Sequence, residues 1–394
     1  MTKIFSLIPR ILESKIKRDL FKGKAIIIYG PRQSGKTTLV KNIADNLDVN
    51  YLFVSGDEPD TREMLENASS TGLNAIIGNN KLLIIDEAQR IHNIGLTLKL
   101  ITDNIADVQV IATGSSAFNL AESIQEPLTG RKYEHFLFPL SFSEMAGWSG
   151  KAEEKRMLSH RMVFGYYPEV INHPGEERRH LGLLSDSYLY KDLFAYEKIK
   201  KPSLLIKLLK SLALQLGNEV SYNELSRQIG ADKETVERYI DLLEKAYVIF
   251  ELPAFSRNLR TELRKSRKIY FLDNGIRNAL ISNYAAPGMR TDTGALWENF
   301  LMSERRKALH YRDFYGNCYF WRTTQQQEID YLEEHDGRLA AYEFKWKSDS
   351  KEHFPKTFSN TYSEATFNTI HPGNFVEWLE EDRSGQFRMD LGKD

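Results

Sequence analysis

Residues 24–38, KAIIIYGPRQSGKTT, restrict the fold of this chain more than any other stretch. An apolar strand, Ala25 to Tyr29, runs into Gly30-Pro31-Arg32-Gln33-Ser34-Gly35-Lys36-Thr37, which satisfies the phosphate-loop pattern GxxxxGK[ST] at every fixed position. The glycines let the backbone curl so that successive N–H groups point at one place. The helix-compatible TTLVKNIADNL behind them presents its positive N-terminus to the same spot. Such a cradle suits the phosphates of a nucleoside triphosphate. The expected contacts are Gly30, Pro31, Arg32, Gln33, Ser34, Gly35, Lys36, Thr37 and Thr38. Lys36 would reach the terminal phosphates and the Thr37 hydroxyl would ligate Mg2+.

Strand and helix patterns alternate after the loop, the sign of a parallel sheet covered by helices. The spacing predicts strands at 24–29, 50–54, 81–86, 108–113 and 132–138. The third, KLLIIDEAQ, is an apolar run ending in Asp86-Glu87. A buried strand delivers such carboxylates to its C-terminal end, where open α/β sheets bind ligand. Asp86 would then hold Mg2+ through water, and Glu87 would orient or deprotonate the attacking water. The fourth strand, QVIATGSS, ends in Thr113, Ser115 and Ser116, either polar contacts to the γ-phosphate or turn residues around Gly114. Arg131 precedes the fifth strand, where one subunit's arginine can reach a neighbour's nucleotide across a head-to-tail interface.

Composition bounds the rest. At 394 residues the chain has room for two or three cores. It carries 53 basic and 54 acidic residues, so any nucleic-acid binding must use a local patch rather than an overall field. The single cysteine, Cys318, excludes an internal disulfide and a cysteine-based zinc site. No apolar run approaches the roughly 20 residues that cross a bilayer. Lys3, Arg10, Glu13 and Lys15 interrupt the N-terminus, which therefore does not read as a signal peptide. A cytoplasmic protein without a membrane partner is expected.

Residues 141–200 read as mostly helical. In 201–270, Leu204 to Leu216 is an amphipathic helix, and Ser221-Tyr-Asn-Glu224 opens a short helix ending at Gly230. Asp232 can cap a third helix with Val236, Tyr239, Ile240, Leu243 and Tyr247 on one face. Two helices around a tight glycine turn, followed by VIFELPAFSRN, predict a winged-helix-like module. Two acids, Glu234 and Glu237, at the start of the third helix argue against reading of base edges. The run Arg257, Arg260, Arg264, Lys265, Arg267 and Lys268 would track phosphates without reading sequence, so residues 233–268 are the expected DNA surface. The other reading is a module used for protein contact.

In 271–394, GALWENFLMSERRKAL is a helix carrying Glu298, and two strand patterns follow, CYFWRTTQQQEIDYLEE and RLAAYEFKWKS. Alternation puts Glu328 and Asp330 on one face of their strand, and Glu343 and Lys345 on one face of the next. A helix glutamate, a strand aspartate and E-x-K on the neighbouring strand is the arrangement of PD-(D/E)XK nucleases. Asp330 and Glu343 would ligate Mg2+, Lys345 would stabilise developing charge, and Glu298 would complete the site. An inactive DNA-binding or regulatory module is the alternative.

The segments GPRQSGKTTL, LLIIDEAQR, ATGSS, LTGR with FPLSFSE, and FGYYPEV resemble one family of bacterial and archaeal AAA+ ATPases, whose C-terminal region is related to restriction-endonuclease-like folds. The resemblance implies ATP and Mg2+ as cofactors, and Lys36, Thr37, Asp86 and Glu87 as the two nucleotide motifs. It makes Thr113 or Ser115 the sensor, Arg131 the finger of a homo-oligomer, and 141–200 the helical lid. The expected α/β organisation is thus an AAA+ core (1–140), a lid or connector (141–200), a winged-helix-like part (201–270) and a PD-(D/E)XK-like α/β part (271–394). No second-sensor arginine is evident in the lid. DNA remodelling, repair or defence fits these parts, with a protein-directed switch or an ATP-gated nuclease as alternatives.

Overall fold

A computed structural model describes residues 7–114, 128–187, 201–256, 267–347 and 354–381. The chain divides into two compact units. The first comprises Met1–Leu140, Tyr167–Asn172 and Lys245–Val248, and the second comprises Ser141–Tyr166, His173–Glu244 and Ile249–Asp394.

The first unit is built on five parallel strands, β1 (Ala25–Tyr29), β2 (Tyr51–Ser55), β3 (Leu82–Asp86), β4 (Gln109–Gly114) and β5 (Lys132–Phe136), in the order β2-β3-β4-β1-β5. These are the strands the sequence predicts, with ends moved by a residue or two. Strands β1, β3 and β4 are buried at every position, as apolar runs covered on both faces must be. The outer strands β2 and β5 are only partly covered. Helices Lys36–Asp45, Ser70–Ile77 and Ile94–Asn104 supply the covering side chains, among them Leu39, Val40, Leu73, Ile77, Leu98 and Ile101. Because β4 lies between β1 and β3, the phosphate loop, Asp86 and Thr113 all emerge at one edge of the sheet.

In the second unit, helix Pro202–Leu214, β6 (Glu219–Val220), helices Tyr222–Ile229 and Lys233–Lys245, β7 (Ile249–Pro253) and β8 (Arg267–Phe271) follow one another. The three strands form an antiparallel sheet in the order β6-β8-β7. The predicted caps are present: Ser221 Oγ accepts from Glu224 N, Gly230 is left-handed, and Asp232 Oδ1 accepts from Thr235 N at 2.6 Å.

A long helix, Thr293–Tyr311, then leads into a four-stranded sheet ordered β12-β11-β10-β9. It comprises β9 (Asn317–Arg322), β10 (Glu328–His335), β11 (Arg338–Phe344) and β12 (Thr366–Ile370). Strands β10 and β11 form a hairpin closed by Asp336-Gly337, both at positive φ as a tight two-residue turn requires. Strand β12 runs parallel to β11. The helix is tied to β10 by Arg305, whose Nε lies 2.6 Å from Glu333 Oε1 in a pair shut away from solvent.

The domain limit placed at 270/271 falls inside β8, whose Phe271 exchanges two backbone hydrogen bonds with the Asn299 carboxamide. Residues 142–164 are helical as a lid would be, but pack onto the long helix and onto the short helix Asn274–Leu280 that precedes it. Phe142 N donates to Glu304 Oε2 at 2.7 Å, and Asn274 Nδ2 donates to the Met162 carbonyl at 3.0 Å.

Just before the long helix, Asp292 accepts from Arg277 at 2.6 Å and from Arg290 at 2.7 Å. Burial opposes its charge, but the two guanidinium groups outweigh this and hold its pKa down at about 2. A depressed folded pKa contributes stability above the ordinary value of 3.8, and that stability is lost as pH falls toward 2. Asp292→Asn is expected to cost about 1 kcal/mol at pH 7, since partial solvation screens the pair. Urea midpoints of wild type and variant should converge between about pH 4 and pH 2.

Candidate functional site

The phosphate loop is shaped by two close approaches. Gly30 stands at φ +155°, and a Cβ there would meet the Leu137 carbonyl oxygen at 2.1 Å, so only glycine fits against the chain leaving β5. Gly35, at φ +95°, turns the chain into the helix Lys36–Asp45. Lys36 is buried, and its Nζ donates to the carbonyls of Gly30 and Pro31 at 2.9 Å each, folded back over the loop. Arg10 braces the same loop. Its guanidinium donates to the Ser34 carbonyl at 2.8 Å and to the Phe138 carbonyl at 2.6 Å. Sequence reading missed this role, because a lone arginine ahead of the motif belongs to no pattern.

Asp86 is held through both oxygens. Thr37 Oγ1 donates to Oδ2 at 2.8 Å, and Thr113 Oγ1 donates to Oδ1. Residues from the loop helix, β3 and β4 therefore converge on one carboxylate. The donors are all hard oxygens, a hydroxyl beside a carboxylate, and this set fits Mg2+. Glu87 follows at φ 49°, in the left-handed region, with its N–H on Thr113 Oγ1 at 3.3 Å and its carboxylate accepting from Gln89 Nε2 at 2.5 Å. Gly56 makes room for this turn, since a Cβ there would come within 2.4 Å of the Glu87 carbonyl oxygen. Ser115 lies outside the described residues. Arg131 sits at the far end of β5. Its carbonyl accepts from Ala25 N, whereas Phe136 pairs with Tyr29 beside the loop. Its Nε lies 2.7 Å from Asp103 Oδ1, so it cannot serve its own loop and faces away from it along the strand.

The second group of predicted site residues also meets, around an unexpected partner. Glu298 accepts from Lys268 Nζ at 3.1 Å and from Tyr270 Oη at 2.6 Å, and Lys268 Nζ lies 2.5 Å from Glu328 Oε1. Asp330 accepts from Phe344 N at 2.8 Å, and Lys345 Nζ lies 2.8 Å from Glu343 Oε2. Burial pushes the Glu343 carboxyl up to about 7, with Asp330 adding to the rise and Lys345 opposing it. Burial also raises Asp330 and Glu298, against the pull of Lys268. Among the described residues, no three of these four acids bring one oxygen each within 4.8 Å of one another. The oxygen donors suit Mg2+ in kind, but they are gathered around an ammonium.

This corrects the expected DNA surface. Lys268 is 1% exposed and committed to carboxylates, so it cannot track phosphates. Arg267 pairs with Glu251 at 2.6 Å and lies over the Tyr222 ring. Both belong to β8, where alternation sends one side chain to each face. Arg257, Arg260, Arg264 and Lys265 lie outside the described residues. Lys233, Glu234, Glu237 and Arg238 are exposed at the start of their helix, as expected.

Comparison with known proteins agrees with the first unit. Residues 22–146 match a family model described as "AAA domain", and this stretch is an AAA-type P-loop domain. Residues 155–286 and 293–385 match two models each described as a domain of unknown function, DUF8612 and DUF4143. An uncharacterized protein of Mycobacterium tuberculosis is 26% identical over 339 residues, covering 84% of this chain and 72% of that one. An uncharacterized protein of Methanocaldococcus jannaschii is 25% identical over 317 residues, covering 70% and 66%. Among solved structures, the Walker-type ATPase of Pyrococcus abyssi aligns over 70% of this chain and 96% of its own, with 14% identity and a TM-score of 0.47. Among the described residues no helix is long and apolar enough to cross a membrane.

Arg10→Ala should loosen the phosphate loop and weaken nucleotide binding about tenfold, or ~1.4 kcal/mol. Titration with a fluorescent ATP analogue measures this, and unchanged affinity would mean that the loop holds its shape alone.

Proposed function

We propose that this chain is a Mg2+-dependent AAA+ protein that binds and hydrolyses ATP and acts on DNA, in remodelling, repair or defence. The observation that carries the nucleotide chemistry is the Asp86 carboxylate held between Thr37 of the loop helix and Thr113 of β4. Lys36, freed from the Gly30 and Pro31 carbonyls, pairs with the terminal phosphates. Thr37 and Asp86 would hold Mg2+, which would neutralise the charge spread over the phosphoryl oxygens. Glu87, steadied by Gln89, orients the attacking water and accepts its proton. Arg131 points away from its own loop and serves a neighbouring copy in a head-to-tail homo-oligomer. Thr113 acts as sensor by linking the Glu87 backbone to Asp86.

Action on DNA draws its support from the other modules. The helix, strand, helix, helix, strand, strand order of residues 202–271, with its β6-β8-β7 sheet, supports a winged-helix-like part. The helix and hairpin of 293–344, joined by a strand parallel to β11, support a restriction-endonuclease-like part. With Lys268 buried among carboxylates and the half-buried Arg267 paired with Glu251, DNA contact falls to the exposed start of helix Lys233–Lys245 and the basic stretch after β7.

Steady-state ATPase with single-stranded, duplex and branched DNA tests this reading, with Glu87→Gln as the blank. Glu87→Gln should retain ATP and lose about 10²-fold or more in turnover. Lys36→Ala should lose nucleotide binding. One DNA form should stimulate the wild type, whereas equal, slow turnover with every DNA would point to a protein-directed switch. Arg131→Ala should cut turnover about 10³-fold if the finger acts in trans, and mixing it with Lys36→Ala chains should restore part of the rate.

A further inference from the structure

Strand β8 brings a lysine into a cluster of acids that no sequence pattern links it to. Glu298 comes from the long helix, Glu328 and Asp330 from β10, and Glu343 from the end of β11. Four carboxylates so placed repel one another in a medium that screens poorly, and they require a cation. Lys268 supplies it. Its ammonium is 3.1 Å from Glu298 Oε1 and 2.5 Å from Glu328 Oε1, and only 1% of the side chain is exposed. Tyr270, two residues along the same face of β8, donates to the same Glu298 oxygen at 2.6 Å. The strand is paired on both sides, Lys268 lying opposite Glu219 of β6 and Leu252 of β7. Its backbone is therefore fixed in the middle of a sheet.

We propose that the Lys268 ammonium takes the place of a divalent cation in this cluster, so that the C-terminal module is held in a metal-free, non-cutting form. This rests on the restriction-endonuclease-like reading of residues 271–394. The ammonium offers three donors and one charge where Mg2+ would demand six oxygens in a tight octahedron. With the lysine in place, the acids are spread around it, and no three of them converge as metal ligands do. Burial alone would discharge Lys268, yet Glu298, Asp330 and Glu328 together keep its pKa above the ordinary lysine value. Lys345 stays beside Glu343, at 2.8 Å, and pairs with an acid that Lys268 does not touch.

The test is a Mn2+ titration of the full-length, nucleotide-free protein, with free Mn2+ read by electron paramagnetic resonance. Wild type and Asp330→Asn should take up the same number of ions, all attributable to sites elsewhere. Lys268→Met keeps the length of the side chain and removes its charge. It should take up one further ion, at least tenfold more tightly than wild type can at this site, and Lys268→Met with Asp330→Asn should lose it. If wild type binds an ion that Asp330→Asn does not, Lys268 is no substitute and the proposal falls, while the nuclease-like reading stands. If Lys268→Met is folded by circular dichroism and gains no ion, the cluster is not a metal cluster and both readings fall. Should Lys268→Met not fold, Lys268→Gln takes its place, alone and with Asp330→Asn, and the same gain and loss of one ion are read.

Discussion

A single buried carboxylate organises the first unit. Asp86 reaches the sheet edge because β3 is apolar enough to be buried along its whole length, and it accepts a hydroxyl from each side. One hydroxyl belongs to the helix that follows the phosphate loop and the other to the strand between β3 and β1. This works only because β4 separates the loop strand from the acidic strand. Were β1 and β3 adjacent, Thr113 would lie outside Asp86 and could not link it to the Glu87 backbone. Strand order and site chemistry are therefore one constraint.

Buried charge plays the corresponding part in the second unit. Arg305 with Glu333, Lys307 with Glu304, Arg277 with Asp292, and Lys268 with Glu298 and Glu328 all lie largely out of water. Such pairs add little net stability over well-packed apolar groups, but removing one partner is costly because the other charge is stranded. They act on arrangement more than on strength. Each charged atom has one place where it is satisfied, and that fixes which helix meets which strand.

What could be read in the sequence divides along the same line. The phosphate loop, the five strands and Asp86 follow from local patterns, since a glycine-rich loop between an apolar strand and a helix, or an apolar run ending in acids, needs no distant partner to be meaningful. The Ser221 and Asp232 caps were legible for the same reason. Glu298, Asp330, Glu343 and Lys345 were identified by alternation and spacing, and they do gather. Lys268 was misread because it stands in a basic run, and charge in sequence does not tell which face of a strand it will occupy. Arg10 was unread because its partners are two carbonyl oxygens, which every residue has. Long-range pairing of an ordinary side chain with backbone leaves no mark on sequence.

The left-handed backbone at Glu87 sets stability and turnover against each other. A non-glycine residue held there costs on the order of 1 kcal/mol, and glycine would sit there without that strain. A screen for heat resistance alone would therefore favour Glu87→Gly, and on the role proposed for this carboxylate it would select a firmer protein that holds ATP and leaves it intact. Persistence of glutamate at that turn would be the mark of a chain selected to hydrolyse rather than merely to fold.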